Sequence, residues 1–357
     1  MKKKEKQKQL EAVDFFCSGG GMTCGFRKAG IKVLGGIDID PKCKETYTKN
    51  NRGSKFIQSD IKALSFSTLE TKLKIKKGDD NLVFIGCSPC QYWSSIKTIK
   101  AKSEESKNLL VDFQKFVNYF KPGHIVIENV PGILSRFGES PLKNFLNFLD
   151  KEKYTYTYDV INASHYGVPQ TRKRFLLIAS RVAEKVSLPI ADTEINPPTV
   201  REFIGDKKKF KPITSGHIDK TSFLHTAAKL SEKNLQRIIA TPHNGGTRMV
   251  YSSDSNVAIK CHLNKRSFSD SYGRMYWDKP APTLTTRFNS ISNGRFAHPE
   301  QDRGMSMREG AVLQTFDINY LFFGKNQSVI ARQIGNAVPP VLSLKIAKAI
   351  LKNAEGF

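Results

Sequence analysis

The chain has 357 residues, 39% of them hydrophobic, enough for a substantial core in two domains or one large domain with an insertion. Its net charge of +24 points to a polyanionic partner, since Lys and Arg beside phosphates release condensed counterions; a surface merely solvated by lysine is the bland alternative. No apolar run is long enough to span a bilayer, Met1 to Leu10 is a basic tail rather than a secretion signal, and the six cysteines form no disulfide framework, so a cytoplasmic protein with reduced thiols is expected.

The first ~180 residues alternate short apolar strands with helices, the pattern of a parallel sheet with crossover helices. Ala12 to Phe16 reads as a strand that runs into Cys17-Ser18-Gly19-Gly20-Gly21, and a first helix ends between Phe26 and Gly30. Ile31 to Ile37 is a second strand ending at Asp38, and Leu82 to Ile85 a third entering Gly86-Cys87-Ser88-Pro89-Cys90. Leu109, Phe113, Phe116, Val117 and Phe120 share one face of a helix over Asn108 to Phe120. Ile125 to Ile127 ends in Glu128-Asn129-Val130, and Arg174 to Ile178 is a further strand. From Val182 to Asp278 the alternation is lost and turn signals multiply, with Pro197-Pro198 and Gly245-Gly246 as punctuation. Arg308 to Phe316 reads as helical, Gly335 to Pro340 as a loop, and Val341 to Leu351 as a last helix.

Four segments carry chemistry, and each has a plainer reading. The glycine turn followed about 20 residues later by Asp38 suits a nucleoside-containing cofactor, or is a tight turn with a surface carboxylate. Cys90, in a loop after a buried strand, is a nucleophile, a structural cysteine, or half of a redox pair with Cys87; a zinc site lacks a second ligand pair. Glu128 is a general acid or a helix cap. In Gln170-Thr171-Arg172-Lys173-Arg174, the two arginines at i and i+2 of an extended segment face one side and can hold a phosphate or fix a carboxylate, or are a solvated charge run.

The order of these segments resembles the cytosine-C5 DNA methyltransferase family over nearly the whole chain. Asp14-Phe15-Phe16 with its glycines resembles the family's cofactor loop, and Gly86 to Ser94 its Pro-Cys-Gln catalytic loop. Glu128-Asn129-Val130 and Gln170 to Arg174 resemble its Glu-Asn-Val and Gln-x-Arg-x-Arg signatures. Arg308-Glu309 through Gln314-Thr315-Phe316 resembles the helix after the recognition region, and Gln333 to Pro340 the closing signature.

The resemblance implies a Rossmann-like, S-adenosylmethionine-dependent α/β methyltransferase fold with a smaller, irregular target recognition domain. The expected bounds are 1–181 for the catalytic part, 182–322 for target recognition and 323–357 for a segment returning to the first. It implies S-adenosylmethionine as cofactor, S-adenosylhomocysteine as product, and no metal. Phe16 stacks on the adenine, Asp38 binds the ribose, and Asp60 with Ile61 meets the adenine edge; Ser18, Gly19, Gly20, Gly21, Ile39, Pro89, Asn336 and Val338 complete the cofactor contacts. One departure stands out: the family has Gly where this chain has Ser18, so a turn re-registered onto Gly19 is expected.

The same resemblance assigns the thiolate attack at cytosine C6 to Cys90, hydrogen bonding at N3 and the exocyclic amine to a protonated Glu128, stabilisation of the adduct to Arg174, and the target nucleotide's backbone to Arg172. Gln91, Ser94, Asn129, Gln170 and Thr283 are the expected substrate contacts. The segment Gln91 to Lys107 reads as a loop that closes on DNA around a flipped base. In the recognition region, Lys207 to Lys211, Arg237, Arg248, Lys265 and Arg266 are expected at phosphates, and Asn244 to Thr247 as a turn that enters a groove. The expected partners are double-stranded DNA and a cognate restriction endonuclease, with a monomeric, bacterial or phage-encoded enzyme and no membrane. A tRNA cytosine-C5 methyltransferase is disfavoured because its Cys-Phe-Thr tripeptide is missing, and a non-catalytic or redox module built on Cys87 and Cys90 is disfavoured by the complete set of catalytic groups.

Overall fold

A computed structural model describes residues 9–88, 108–138, 140–260, 263 and 269–355. Pro89, Cys90, Gln91 and Ser94, the loop 91–107, Lys265 and Arg266 lie outside the described residues. The chain divides into two compact units. The first comprises 1–162, 173–190 and 342–357, and the second 163–172 and 191–341. The return of the chain expected after residue 323 thus begins, in this division, at Leu342.

The first unit is a seven-stranded sheet, order β3-β2-β1-β4-β5-β8-β6. Its strands are β1 (Glu11–Phe15), β2 (Lys32–Asp38), β3 (Lys55–Gln58), β4 (Leu82–Gly86), β5 (His124–Asn129), β6 (Thr155–Asn162) and β8 (Lys173–Ser180). The first five run parallel; β8 is antiparallel to β5, and β6 to β8. β4 and β5 are buried along their whole length, as their continuous apolar runs require of central parallel strands. The sheet order and the single reversed strand confirm the expected α/β class.

Helices α1 (Gly21–Lys28), α2 (Lys44–Asn50) and α3 (Phe66–Leu73) connect the first strands. Then come α4 (Leu109–Phe120), α5 (Gly132–Ser135) and α6 (Leu142–Lys151). α4 buries Leu110, Phe113, Phe116, Val117 and Phe120, with Leu109 only partly covered, so the apolar stripe is rotated slightly from the expected face. Phe15 anchors the packing, with ring centroids 5.1 Å from Phe84, 5.2 Å from Phe113 and 5.3 Å from Phe116. Each such fully buried ring contributes on the order of 1.5–3 kcal/mol.

The second unit contains β7 (Gln170–Thr171), β9 (Ala281–Pro282) and short helices: α7 (Val200–Ile204), α8 (Glu232–Ala240), α9 (Met307–Leu313) and α10 (Gln327–Asn336). The expected loop over Gly335 to Pro340 is shorter than anticipated, because Gly335 and Asn336 finish α10. Pro340–Glu355 forms the last helix, α11. Residues 327–355 are long and apolar enough to cross a membrane by length and composition alone, but 67% of the apolar window is buried inside the protein. In the first unit α11 lies so close to α1 that a Cβ on Gly25 would sit 2.4 Å from the Ser343 side chain, and Ser343 Oγ donates to the Met22 carbonyl at 2.7 Å.

With few ladders available, the second unit satisfies its loop carbonyls with arginine. Arg274, fully buried, donates to the carbonyls of Ile238, Thr241, His298 and Gln301 and pairs with Asp302. Arg308 donates to those of Ser222, Phe223 and Tyr320, and burial lowers its pKa to about 10. Arg303 forks onto Glu309 at 2.8 and 2.6 Å, both side chains fully buried. Burial alone would raise the Glu309 carboxyl, but the Arg303 charge and hydrogen bonds outweigh it and hold it well below the usual carboxylate range. A guanidinium offers five donors in a fixed fork, which suits carbonyls that converge from irregular loops.

One buried group in the first unit works against acid stability. His124 opens β5 at 1% exposure, and neither ring nitrogen has a hydrogen-bond partner among the described residues. Burial lowers its pKa to about 4, with Arg181 adding to the effect and Asp80 opposing it. Below the ordinary histidine value of 6.5 the unfolded chain takes up a proton that the folded chain refuses until about pH 4. Stability therefore falls by about 3 kcal/mol as pH drops from about 6.5 to about 4, and this loss saturates below that. His124→Leu is expected to flatten this part of the curve in denaturant titrations at pH 7 and pH 4.5; an equal acid loss in wild type and variant refutes the assignment.

Candidate active site

The carboxyl ends of parallel strands lie along one edge of the sheet, where such folds place their ligands. β1 ends at Phe15, β2 at Asp38, β4 at Gly86 and β5 at Asn129, so the residues singled out in the first unit share that edge.

The turn after β1 is held by hydrogen bonds rather than by glycine alone. Phe16, Ser18 and Gly20 all have left-handed backbone, with φ of 64°, 46° and 91°. Ser18 takes directly the conformation that glycine adopts freely, so the turn accommodates the serine in place, without the expected shift onto Gly19. Its N–H donates to Asp38 Oδ2 at 2.8 Å, while Asp38 Oδ1 accepts from Asp40 N at 2.8 Å. Burial raises the Asp38 pKa against these bonds. Beside it Ile39 is 62% exposed, an apolar side chain open at a polar edge.

Beneath the turn lies a second set of hydrogen bonds. The cap residue of α1 is Gly20, which has no side chain to accept the orphan amides of the first turn. Asp14, fully buried on β1, does this from outside: Oδ2 accepts from Thr23 N at 3.2 Å and Thr23 Oγ1 at 2.7 Å. Thr23 Oγ1 also lies 3.1 Å from Tyr47 Oη on α2. Burial raises the Asp14 pKa to about 7, more than the Thr23 bonds lower it. The signal was present as a charged residue inside an otherwise apolar strand.

After β3, Asp60 is half-buried and its Oδ1 accepts from Lys62 N at 3.0 Å. Ile61, expected at the cofactor, turns its side chain into the core at 5% exposure. Asn129 is also engaged internally: Nδ2 donates to Ser88 Oγ at 3.1 Å and Oδ1 accepts from Val130 N at 2.9 Å. It ties the end of β5 to the segment leaving β4, and its amide faces no open surface, at 1% exposure.

Glu128 and Arg174 come together. Glu128 on β5 lies opposite Leu176 on β8, so Arg174, two residues away, occupies the same face on the diagonal. Arg174 Nε is 2.9 Å from Glu128 Oε1, with side-chain exposures of 13% and 7%. This is a close ion pair lying off the hydrogen-bonding axis, and Oε1 accepts no hydrogen bond among the described residues.

The two arginines of the Gln-x-Arg-x-Arg segment do not act together. Arg172, at 3% exposure, donates to the carbonyls of Leu284 at 3.1 Å, Gly335 at 3.3 Å and Ala337 at 3.2 Å, all in the second unit. Gln170 accepts from Leu284 N at 2.9 Å and donates to Gln314 Oε1 at 2.7 Å. Gln314 in turn donates to the carbonyls of Ile334 and Ala337 at 2.7 and 3.0 Å. Thr283 Oγ1 donates to the Thr171 carbonyl at 2.6 Å. These side chains form a buried knot joining three signature segments, rather than the direct substrate contacts expected of Gln170, Arg172 and Thr283. Asn336 stands exposed on the backbone that the knot clamps, and Val338 is buried at 4%. Residues 172 and 174 do not face one side as expected, because they do not share one strand: β8 begins only at Lys173.

Two phosphate expectations are corrected. Arg248 is buried at 2%, and Arg237 is held by the Val257 carbonyl and Asn234. The Gly245-Gly246 turn packs tightly, since a Cβ on Gly245 would lie 1.9 Å from the Tyr276 ring, so this turn is structural.

The buried knot yields a test. Arg172→Ala takes a donor from three buried carbonyls, of which Ala337 keeps Gln314, and is expected to lower stability by about 3 kcal/mol, read as a lower denaturant midpoint. An unchanged midpoint with weakened DNA binding would return Arg172 to the nucleotide's backbone.

Residues 10–352 match the model of the C-5 cytosine-specific DNA methylase family. The chain is 37% identical over 352 residues to the Type II methylase M.HgiDII of Herpetosiphon aurantiacus, covering 97% of this chain and 96% of that one. It is 30% identical over 346 residues to the Type II methyltransferase M1.HphI of Haemophilus parahaemolyticus, covering 96% and 87%. The fold is similar to that of the solved structure of Entamoeba histolytica methyltransferase EhMeth, with a TM-score of 0.64 at 17% identity over 97% and 98% of the two chains. With the seven-stranded sheet and the Glu128–Arg174 pair at its carboxyl edge, these matches show that the chain belongs to the C-5 cytosine-specific DNA methylase family.

Proposed function

We propose that the protein methylates C5 of a cytosine flipped out of a specific duplex DNA site, with Cys90 as nucleophile and S-adenosylmethionine as methyl donor. The observation that carries this reading is the Glu128–Arg174 pair, a nearly buried carboxyl group held by a guanidinium at the ligand edge of the sheet.

The residues fit a nucleoside cofactor. Asp38 presents a carboxylate beside a left-handed turn, and the exposed Ile39 offers an apolar face next to it. Asp38 is proposed to hold ribose hydroxyls, and Phe16 and Ile39 the adenine, with Ser18 to Gly21, Asp60, Pro89, Asn336 and Val338 around the remainder. S-adenosylmethionine, held by these residues, would supply an electrophilic methyl group, with S-adenosylhomocysteine as the product.

Cytosine C5 is a weak nucleophile, and attack by the Cys90 thiolate at C6 moves electron density onto it. C6 is out of reach in a stacked duplex, so the base leaves the helix at a cost of a few kcal/mol. Glu128 shares a proton with N3 as charge gathers on the ring, and Arg174 fixes the carboxyl and balances that charge. Asn129 acts one step back, bracing the strand end against Ser88. Loss of the C5 proton and departure of the thiolate restore the base.

The names of the relatives, both Type II enzymes, support a place in a restriction-modification system with a cognate endonuclease. We propose a cytoplasmic monomer.

Labelled S-adenosylmethionine and duplex DNA, followed by bisulfite sequencing, test the proposal. Protected cytosines in one short motif are expected, absent with Cys90→Ser and slowed about 10²- to 10⁴-fold with Glu128→Gln. Transfer to tRNA and none to duplex DNA would overturn it.

A further inference from the structure

We propose that Arg287 reads a guanine in the major groove of the target site, from a neutral polar strip over residues 285–293. This rests on the duplex-DNA reading above.

The first observation is how the second unit uses its arginines. Arg172, Arg274, Arg303 and Arg308 are committed to carbonyls or to a buried carboxylate. Arg295 is held by the carbonyls of Gly245 and Gly246 and by Asp270, and Arg201 by Asp278. Arg287 is exposed, and its guanidinium has no hydrogen bond or ion pair among the described residues. Arg332 shares that freedom, but on the outer face of helix α10 with no such strip around it.

The second observation is independent and concerns charge pattern. In a chain of +24 with a quarter of its residues charged, 281–299 holds no Lys, Asp or Glu. Its polar residues are Thr, Ser and Asn, with Arg287, the committed Arg295 and the buried His298. Lysine points to phosphates, whereas Arg, Asn, Ser and Thr match donor and acceptor patterns on base edges.

The mounting is rigid. Leu284, Phe288 and Ile291 are buried at 1% or less, and a Cβ on Gly310 of α9 would lie 2.1 Å from the Phe288 ring. Phe288 N donates to the Thr285 carbonyl, Arg287 N to Thr285 Oγ1 and Ser290 N to the Arg287 carbonyl. The intervening Thr286 and Arg287 are thereby turned outward, and the backbone under them cannot drift. A free guanidinium on a fixed mount is the group that takes guanine O6 and N7 together.

The test uses the full-length protein and duplexes carrying its mapped site, with each guanine replaced in turn by 7-deazaguanine, which lacks the N7 acceptor. In wild type, one replacement is expected to lower kcat/KM on the order of tenfold to a hundredfold. In Arg287→Ala that penalty disappears, and in Arg287→Lys it shrinks, while thermal midpoint and S-adenosylhomocysteine affinity stay unchanged. A wild-type enzyme with no guanine penalty, or penalties that all persist in Arg287→Ala, overturns the proposal alone. No transfer to any duplex overturns the reading beneath it as well.

Discussion

The site depends on one reversal of strand direction. Five parallel strands deliver their loops to one edge, but a parallel neighbour for β5 would bring only another strand end there. Because β8 runs antiparallel, it enters the sheet at that edge, and its first turn of residues faces the last residues of β5. Arg174 thereby lands on the diagonal from Glu128, and the pair forms between elements held by a full ladder. A cation mounted on a strand costs less reorganisation when charge develops than one on a loop. The same placement stabilises Glu128, since a nearly buried carboxyl needs a partner.

The cofactor turn shows a second economy. Gly20 gives α1 its left-handed entry but no cap, and Asp14 supplies that cap from the neighbouring strand. Thr23 extends the link to Tyr47 on α2. A turn whose backbone must stay open toward a ligand is in this way braced from below, by groups that never reach the surface.

Much of the first unit could be read from the chain because its signals are local. β4 is an unbroken apolar run, and β5 carries Ile125 to Ile127 straight into Glu128 and Asn129. β6 is hard to read from the chain because seven of its eight residues are exposed or half-buried on an edge strand, where alternation is weak. Glu128 and Arg174 were found by resemblance to a family, and their spacing in the sequence says nothing of the antiparallel register that joins them. Arg172 was misplaced for the converse reason: a basic residue near a catalytic one looks like a ligand group, and only the fold reveals three carbonyls waiting for it. In the second unit such non-local demands dominate. Its loops carry carbonyls without ladders, and arginines recruited from far along the chain satisfy them, a pattern with no periodicity to detect.

The central claim is that Glu128 and Arg174 act as one unit on the target base. A double-mutant cycle tests it most directly: single-turnover methylation of a cognate duplex by Glu128→Gln, Arg174→Ala and the double variant. If the two act together, the double variant is no slower than the slower single variant by more than a few-fold. If the two losses multiply, each group acts on its own and the pair is a packing contact.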